Sequence, residues 1–300
     1  MIDYTARWLL DHLPEHTPPA LVHNDFRNGN IMVNEEGVVA VLDWEIAHLG
    51  DAMRDLGWIC TNSWRFGIAE LPVGGFGVRE DLFRGYADES GQAVDAQRVK
   101  FWEVFGSFWW SVGCLGMAES YRNGPEQTVE RPGIGRRSSE CQVDCVNLII
   151  PGAVQLIDDS LLSSEARAPV PTDVQFPRLD ELLLSVRDFL RDDVMSETAG
   201  RLQFLARVAA NSLDIVDREV RVGARLEEQE IMALRALDLA TPAEDSLAGL
   251  RWALVDALRE GRQPLDDPDL QAYLRESCVN QLAIDQPRYS GLSVALANKG

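Results

Sequence analysis

Residues 20–60 decide the fold, and they read ALVHNDFRNGNIMVNEEGVVAVLDWEIAHLGDAMRDLGWIC. Two β-rich runs, 31–34 and 38–42, flank the short acidic turn 35–37, which ends in glycine. Valine and isoleucine favour strands, and a short turn that contains glycine favours a tight hairpin. A hairpin reverses the chain, so Asp43 is expected to return beside the loop that precedes the first strand.

The polar residues of that loop have the spacing of a phosphoryl-transfer site. Residues 23–30, HNDFRNGN, fit H-x-D-x-x-x-x-N, which is the spacing of the protein-kinase catalytic loop. Asp25 can accept or orient the proton of an attacking hydroxyl, and the oxygens of Asn30 and Asp43 can bind magnesium. Any one of these residues alone is as well explained by a turn or a cap. Together with the hairpin, the three residues favour descent from a phosphotransferase.

The segment LVHNDFRNGNIMV…VVAVLDWEIAHLGDAMRDLGW resembles the aminoglycoside phosphotransferase superfamily, and within it the branch related to acyl-CoA-dehydrogenase-associated kinases. The resemblance covers about residues 1–160 and implies a protein-kinase-like C-terminal lobe. It also implies Mg²⁺ and ATP as cofactors and a small-molecule hydroxyl as the phosphate acceptor. In that reaction Asp25 is the implied base, and Asn30 and Asp43 are the implied magnesium ligands. The family usually has H-G-D where this chain has Asn24 in place of glycine.

Five further residues are candidates for supporting roles. By the resemblance, Asp55 is expected to brace the catalytic loop, and His23 is expected to be a structural hydrogen-bonding residue. Asp51 either supports the same loop or caps the helix that follows it. Arg136 and Arg137 end a basic island, RPGIGRR, in an acidic chain. They are candidate contacts for an anionic substrate, and a solvated surface loop explains them equally well.

Composition excludes several classes of protein. The 300 residues include 48 acidic and 28 basic ones, for a formal net charge of −20, so nucleic acid and membranes are not expected partners. The acidic balance either suits a cationic substrate or serves solubility. No apolar run is long enough to span a membrane, and the start of the sequence does not resemble a signal peptide. Five irregularly spaced cysteines indicate a reducing, cytoplasmic location. Cys141 and Cys145 are either two metal ligands or, as we favour, two buried apolar residues.

The predicted fold is mainly α with a small β-hairpin. A kinase-like C-terminal lobe is expected over residues 1–162, with helices at 52–60, 79–89, 95–122 and 139–162. Residues 163–177 contain three prolines and are predicted to be a linker. Residues 178–290 are predicted to form a separate α-helical bundle, similar to an uncharacterised domain found beside phosphotransferases of this branch. The pattern suggests a docking or oligomerisation module and shows no chemistry.

The nucleotide-binding lobe of a complete kinase is not found in this sequence. The 22 residues before His23 contain no lysine, and no G-x-G-x-x-G motif occurs. Three interpretations therefore stay open. The chain is a phosphotransferase that needs a nucleotide lobe, one part of a split kinase, or a non-catalytic binding or assembly protein derived from a kinase. A separate nucleotide lobe or a second copy is the expected partner, because the face that normally meets that lobe should be apolar.

Overall fold

The computed structural model describes residues 1–125, 127–162, 177–237, 239 and 246–298. The helices are α1 (Ile2–Asp11), α2 (Met53–Cys60), α3 (Arg79–Ser90), α4 (Ala96–Asn123), α5 (Glu130–Arg136), α6 (Ser138–Ile149), α7 (Leu179–Asp188), α8 (Met195–Glu197), α9 (Gly200–Ala236), α10 (Leu247–Arg259), α11 (Pro268–Asp285) and α12 (Ser290–Ala297). The strands are β1 (Ala20–Val22), β2 (Ile31–Asn34), β3 (Gly37–Val41) and β4 (His48–Gly50). The predicted class, mainly α with a kinase-like fragment and a helical region, is confirmed.

The strands form two small antiparallel sheets. The predicted hairpin is present as β2 and β3, with Ile31 opposite Val41 and Asn34 opposite Gly37. The side chain of Asn34 accepts the backbone N–H of Gly37 and so closes the turn. Strand β1 pairs with β4, a partner that the sequence pattern does not reveal because β4 is only three residues long. The β1–β4 ladder and the hairpin hold the catalytic loop between them.

Two regions differ from the predicted helices. The helix predicted over 139–162 ends at Ile149, because Pro151 and Gly152 follow directly and neither continues a helix. A short 3-10 helix, Asp159–Leu162, covers the end of the predicted span. Residues 131–136 of the basic island RPGIGRR are helical in α5, and Arg137 is the C-cap of that helix.

Helices α2 and α4 pack unusually closely behind the catalytic loop. A Cβ atom placed on Gly57 of α2 would lie 2.5 Å from Cβ of Trp102 and 2.8 Å from the backbone nitrogen of Glu103. On α4, a Cβ placed on Gly106 would lie 2.4 Å from the hydroxyl oxygen of Thr61. The close approach fixes the position of α2, which presents side chains to the catalytic loop.

The largest hydrophobic cluster joins the predicted lobe to the helical region. It contains Tyr4 of α1 and Val146 of α6 together with Leu258, Leu282 and Leu292 of α10, α11 and α12. Apart from Pro177, the predicted linker lies outside the described residues, so the predicted domain limits remain a prediction. Within the described part of the chain, no helix combines the length and hydrophobicity that crossing a membrane requires.

Candidate active site

Asp25 lies at the centre of a hydrogen-bonded cluster. The indole N–H of Trp58 donates to its Oδ1 at 3.0 Å, and the side-chain amide of Asn30 donates to its Oδ2 at 2.7 Å. Nε of Arg27 lies 3.1 Å and 3.2 Å from the two carboxylate oxygens. A carboxylate offers about four lone-pair positions. These four contacts match that number, so they hold the group in one orientation, and an acceptor hydroxyl would replace one of the two contacts of Arg27.

The backbone of the catalytic loop is fixed by Asp55 and His23. The two carboxylate oxygens of Asp55 accept the backbone N–H groups of His23 and Asn24 at 2.7 Å and 2.8 Å. Nδ1 of His23 accepts the backbone N–H of Asp25, so the imidazole proton is on Nε2, from which it is donated to the carbonyl of Leu42. The histidine thus links the catalytic loop to the end of the hairpin, and this arrangement uses it as a brace.

Asn24 and Asp43 both have left-handed backbone conformations, with φ of 70° and 67°. Asparagine and aspartate tolerate this region better than most residues, and glycine tolerates it best. The glycine that the resembled family usually has at position 24 therefore has a conformational reason, and Asn24 satisfies the same requirement.

The hairpin brings Asp43 back to the catalytic loop through its neighbour Leu42. The N–H of Leu42 donates to the carbonyl of Asn30 at 2.8 Å, and the carbonyl of Leu42 accepts from His23. Asp43 itself is exposed. Within the described residues, neither its carboxylate nor Oδ1 of Asn30 has a protein hydrogen-bond partner.

These oxygens are the ligand type that Mg²⁺ prefers. No group of three or more His, Cys, Asp or Glu side chains in the described ranges could hold a metal ion. Magnesium in phosphoryl-transfer sites uses few protein ligands and completes its shell with phosphate oxygens and water. The two residues fit such a site.

A cavity of about 740 Å³ opens beside Asp25. Its wall includes Trp58, Trp64, Trp109 and Trp110 from the kinase-like region. The indole rings of Trp58 and Trp64 have centroids 5.7 Å apart, and those of Trp58 and Trp109 are 5.5 Å apart in an edge-to-face arrangement. A cavity of this volume suits a small organic molecule.

The remaining predicted site residues are not all at this cavity. Asp51 accepts from the indole N–H of Trp102 at 2.7 Å and from Arg98, so it anchors α4. Arg136 pairs with Glu219 and Asp285 and does not line the cavity. Its neighbour Arg137 does line the cavity.

Arg137 forms an ion pair inside the cavity wall with Glu140, which is almost completely buried. Burial raises the pKa of Glu140, and the Arg137 guanidinium acts in the opposite direction.

The C-terminal region reaches the cavity through the turn between α11 and α12. Gln286, Arg288 and Tyr289 of this turn line the wall. The hydroxyl of Tyr289 donates to the buried carboxylate of Asp144 at 2.7 Å, and the amide of Asn62 donates to the same carboxylate at 2.8 Å. Burial raises the pKa of Asp144 from 3.8 to about 7.

Several residues that contact Asp25 or line its cavity were not identified from the sequence, because they are not defined positions of the H-x-D-x-x-x-x-N motif. Trp58 follows the D-x-x-x-D-L segment after one glycine, and its three-residue helical spacing from Asp55 was the available signal. Arg27 occupies a position that the H-x-D-x-x-x-x-N pattern leaves free. No sequence signal identified Arg288, since its role depends on a contact between distant parts of the chain.

Comparison with known families and proteins agrees with the motif. Residues 2–91 match the Phosphotransferase enzyme family (APH), and residues 196–289 match a domain of unknown function, DUF6285. Acyl-CoA dehydrogenase family member 10 of Mus musculus is 45% identical over 56 residues, which are 18% of this chain and 5% of that protein. Probable acyl-CoA dehydrogenase IBR3 of Arabidopsis thaliana is 29% identical over 119 residues, 34% of this chain and 14% of that protein.

A longer match is found with acyl-CoA dehydrogenase family member 11 of Mus musculus, which is 24% identical over 270 residues, 85% of this chain and 33% of that protein. This chain therefore spans at most about a third of these three relatives. No solved structure matches the chain. The predicted resemblance to the phosphotransferase superfamily and to its acyl-CoA-dehydrogenase-associated branch is confirmed.

Proposed function

We propose that this chain, a kinase-like phosphotransferase at the level of the family, carries the acceptor-binding and catalytic residues of an ATP-dependent enzyme. The enzyme transfers the γ-phosphate to a hydroxyl group of a small molecule. The observation that carries the proposal is the carboxylate of Asp25, which Trp58, Asn30 and Arg27 hold at the edge of an open cavity. The names of the relatives are compatible with an enzyme that works near acyl-CoA metabolism, and the free, buried state of all five cysteines is compatible with a reducing, cytoplasmic location.

In this proposal each residue of the site has a separate role in phosphoryl transfer. Asp25 orients the attacking hydroxyl and takes its proton, while Asn30 and Arg27 hold the carboxylate in place. His23 and Asp55 keep the loop in the conformation that this geometry requires. Oδ1 of Asn30 and the carboxylate of Asp43 are the candidate ligands for magnesium, which when bound neutralises phosphate charge. Positioning and charge neutralisation supply most of the rate in such reactions.

The exposed apolar surface of the hairpin is a candidate binding site for a nucleotide lobe. That lobe would belong to another chain or to another part of the protein. Val33 and Val38, which are paired across the hairpin, are 68% and 65% exposed, and Met32 and Val39 of the same hairpin are also exposed. A contiguous apolar surface on a folded protein usually marks an interface. The same surface also favours the second candidate function, a non-catalytic assembly protein in which it binds a partner or a second copy.

The test is transfer of radiolabelled γ-phosphate from Mg²⁺-ATP to a panel of small alcohols by residues 1–300. Because the strand lysine and the phosphate-covering loop of a kinase are not in this sequence, we expect turnover to be slower than that of a complete kinase. Each missing electrostatic contact costs about a hundred- to a thousandfold. Asp25→Asn should abolish the remaining transfer, whereas Asp11→Asn, which alters an exposed carboxylate on α1, should not.

Two outcomes would contradict parts of this proposal. Turnover at ordinary kinase rates by the chain alone would show that no further lobe is needed. Transfer that persists unchanged in Asp25→Asn would exclude the catalytic role of Asp25. If neither Asp25→Asn nor Asp43→Ala changes transfer, and the hairpin surface still binds a partner, the assembly function is favoured.

A further inference from the structure

The turn between α11 and α12 is held rigidly against the kinase-like region. Tyr289 and Asn62 both donate to Asp144, and the amide of Asn147 donates to the carbonyl of Gly291 at 2.9 Å. A Cβ atom on Gly291 would lie 2.7 Å from Oδ1 of Asp144, so the two segments are in direct contact. The turn is therefore docked on the kinase-like region as part of the cavity wall.

Four of the six charged residues of the wall form ion pairs with one another. Its carboxylates are Asp25, Glu45 and Glu140, and its guanidinium groups are Arg27, Arg137 and Arg288. Arg27 pairs with Asp25, and Arg137 pairs with Glu140. Arg288 is exposed, and within the described ranges its guanidinium has no hydrogen bond or ion pair.

The unpaired carboxylate and the unpaired guanidinium come from distant parts of the chain. Glu45 follows the candidate metal ligand Asp43 by two residues, and Arg288 belongs to the C-terminal turn. Four tryptophans line the same cavity, and the indole nitrogens of Trp64 and Trp110 are buried without a partner among the described residues. Buried indole N–H groups usually find a hydrogen-bond acceptor.

We propose that the C-terminal helical region completes the acceptor site, with Arg288 as the residue that selects a hydroxyl compound bearing a carboxylate or phosphate group. This inference rests on the proposed function, since it assumes that the cavity beside Asp25 receives the acceptor. The flat, apolar part of the acceptor packs on the tryptophan wall, and its anionic group binds Arg288. Arginine is well suited to this task because its planar fork matches carboxylate and phosphate oxygens.

The proposal gives the C-terminal region a function in the same site. The sequence pattern indicated only a docking module for this region. In the structure it contributes three side chains to the wall, and one of them is the cation that has no carboxylate partner. The part of the cavity wall that contains Arg288 is therefore supplied by the C-terminal region.

The test measures binding without ATP, using mandelate as a probe because it carries a ring, a hydroxyl and a carboxylate. The fluorescence of the cavity tryptophans and isothermal titration of the 300-residue chain report its dissociation constant. We expect mandelate to bind more tightly than the neutral mandelamide. Arg288→Gln should weaken mandelate binding about tenfold, which corresponds to one hydrogen bond to a charged group, and should leave mandelamide unchanged. Arg262→Gln is the matched control, since it removes an exposed arginine outside the cavity.

Phenyl phosphate in the same assay distinguishes the two anions. Tighter binding than mandelate, lost in Arg288→Gln, assigns the subsite to a phosphate group, and the reverse order assigns it to a carboxylate. Failure of both anions to bind, equal affinity for mandelate and mandelamide, or affinities unchanged by Arg288→Gln would overturn the inference. Binding that depends on Arg288 in a chain that transfers no phosphate would leave the inference standing and contradict only the proposed function.

Discussion

Asn24 shows how one backbone angle limits the residues that a catalytic loop accepts. Its φ of 70° lies in the region where a Cβ atom crowds the following carbonyl, and its N–H donates to Asp55 in that conformation. We expect Asn24→Val to destabilise the chain by about 1–2 kcal/mol, because a β-branched residue is strained there. Asn24→Gly, which restores the residue usual in the family, is the matched control and should not destabilise. Urea unfolding followed by circular dichroism measures both, and equal stability of the two variants would contradict this account.

The ionisation of Asp144 is expected to lower the free energy of unfolding as pH rises. Burial raises its pKa from 3.8 to about 7, so the folded chain retains a proton that the unfolded chain has lost between these values. The stability that this proton provides is present at low pH and is lost as pH rises towards and through 7. In Asp144→Asn, the position cannot ionise. We expect the melting temperature of the wild type to fall relative to this variant between about pH 5 and about pH 8.

Asp158→Asn is the control for this pH dependence. Hydrogen bonds from Ser160 lower the pKa of Asp158, so this carboxylate stays ionised over the same pH range in both states. Its substitution should shift the melting temperature by an amount that does not change with pH. A constant difference between the wild type and Asp144→Asn would show that Asp144 is not protonated in the fold.

For individual residues, the sequence predicts the members of the catalytic-loop motif better than it predicts the residues that lie around that loop in the fold. The spacing of residues 23–30 sufficed to name Asp25 and Asn30, because a short loop keeps its own geometry. Trp58, which donates to Asp25, and Arg288, which lines the same cavity, come from α2 and from the turn before α12. Their proximity to Asp25 depends on how helices pack, and local spacing does not encode that packing.

Helix α2 is the element that connects the catalytic loop to the helical core. It carries Asp55 and Trp58 towards the loop, and Gly57 between them allows α4 to approach. In Gly57→Ala the new methyl group would meet Trp102 and the backbone of Glu103, so the two helices must separate. We expect a loss of about 1–3 kcal/mol in stability, as for overpacking, and weaker binding of probes in the cavity beside Asp25.

Gly116→Ala provides a matched control on α4. No atom lies within 4 Å of a Cβ placed on Gly116. Alanine favours the helix interior over glycine by about 0.5–1 kcal/mol, so this variant should be at least as stable as the wild type. Thermal unfolding of both variants decides the question, and a Gly57→Ala protein as stable as Gly116→Ala would show that α2 can shift without cost.

Gly106 and Gly116, both on α4, show which features of helix packing a sequence pattern can predict. Along α4, a Cβ placed on Gly106 would meet Thr61, whereas no atom lies within 4 Å of one placed on Gly116. A helical repeat identifies a face of a helix. It does not tell where along that face a neighbouring helix crosses, because crossing points are set by the lengths and ends of other elements.

The whole molecule is built around a core that both halves of the chain share. Tyr4 and Val146 contribute to it from the kinase-like region, and Leu258, Leu282 and Leu292 contribute from the helical region. Hydrogen bonds of Asp144 and Asn147 join the same two regions at the cavity. Cleavage of the backbone between the regions would leave all of these contacts in place.

We therefore predict that a protease cut within the proline-containing stretch 163–177 yields two fragments that stay together. Separating them would expose the shared apolar core to water, at about 25 cal/mol for each Å² of apolar surface. The nicked protein should elute from a sizing column at the volume of the intact chain, and the fragments should separate only in denaturant. It should also keep its affinity for mandelate, since the wall that carries Arg288 remains docked. Elution of two separate fragments in native buffer would show that the regions are independent, and the acceptor site would then have to lie within the kinase-like region alone.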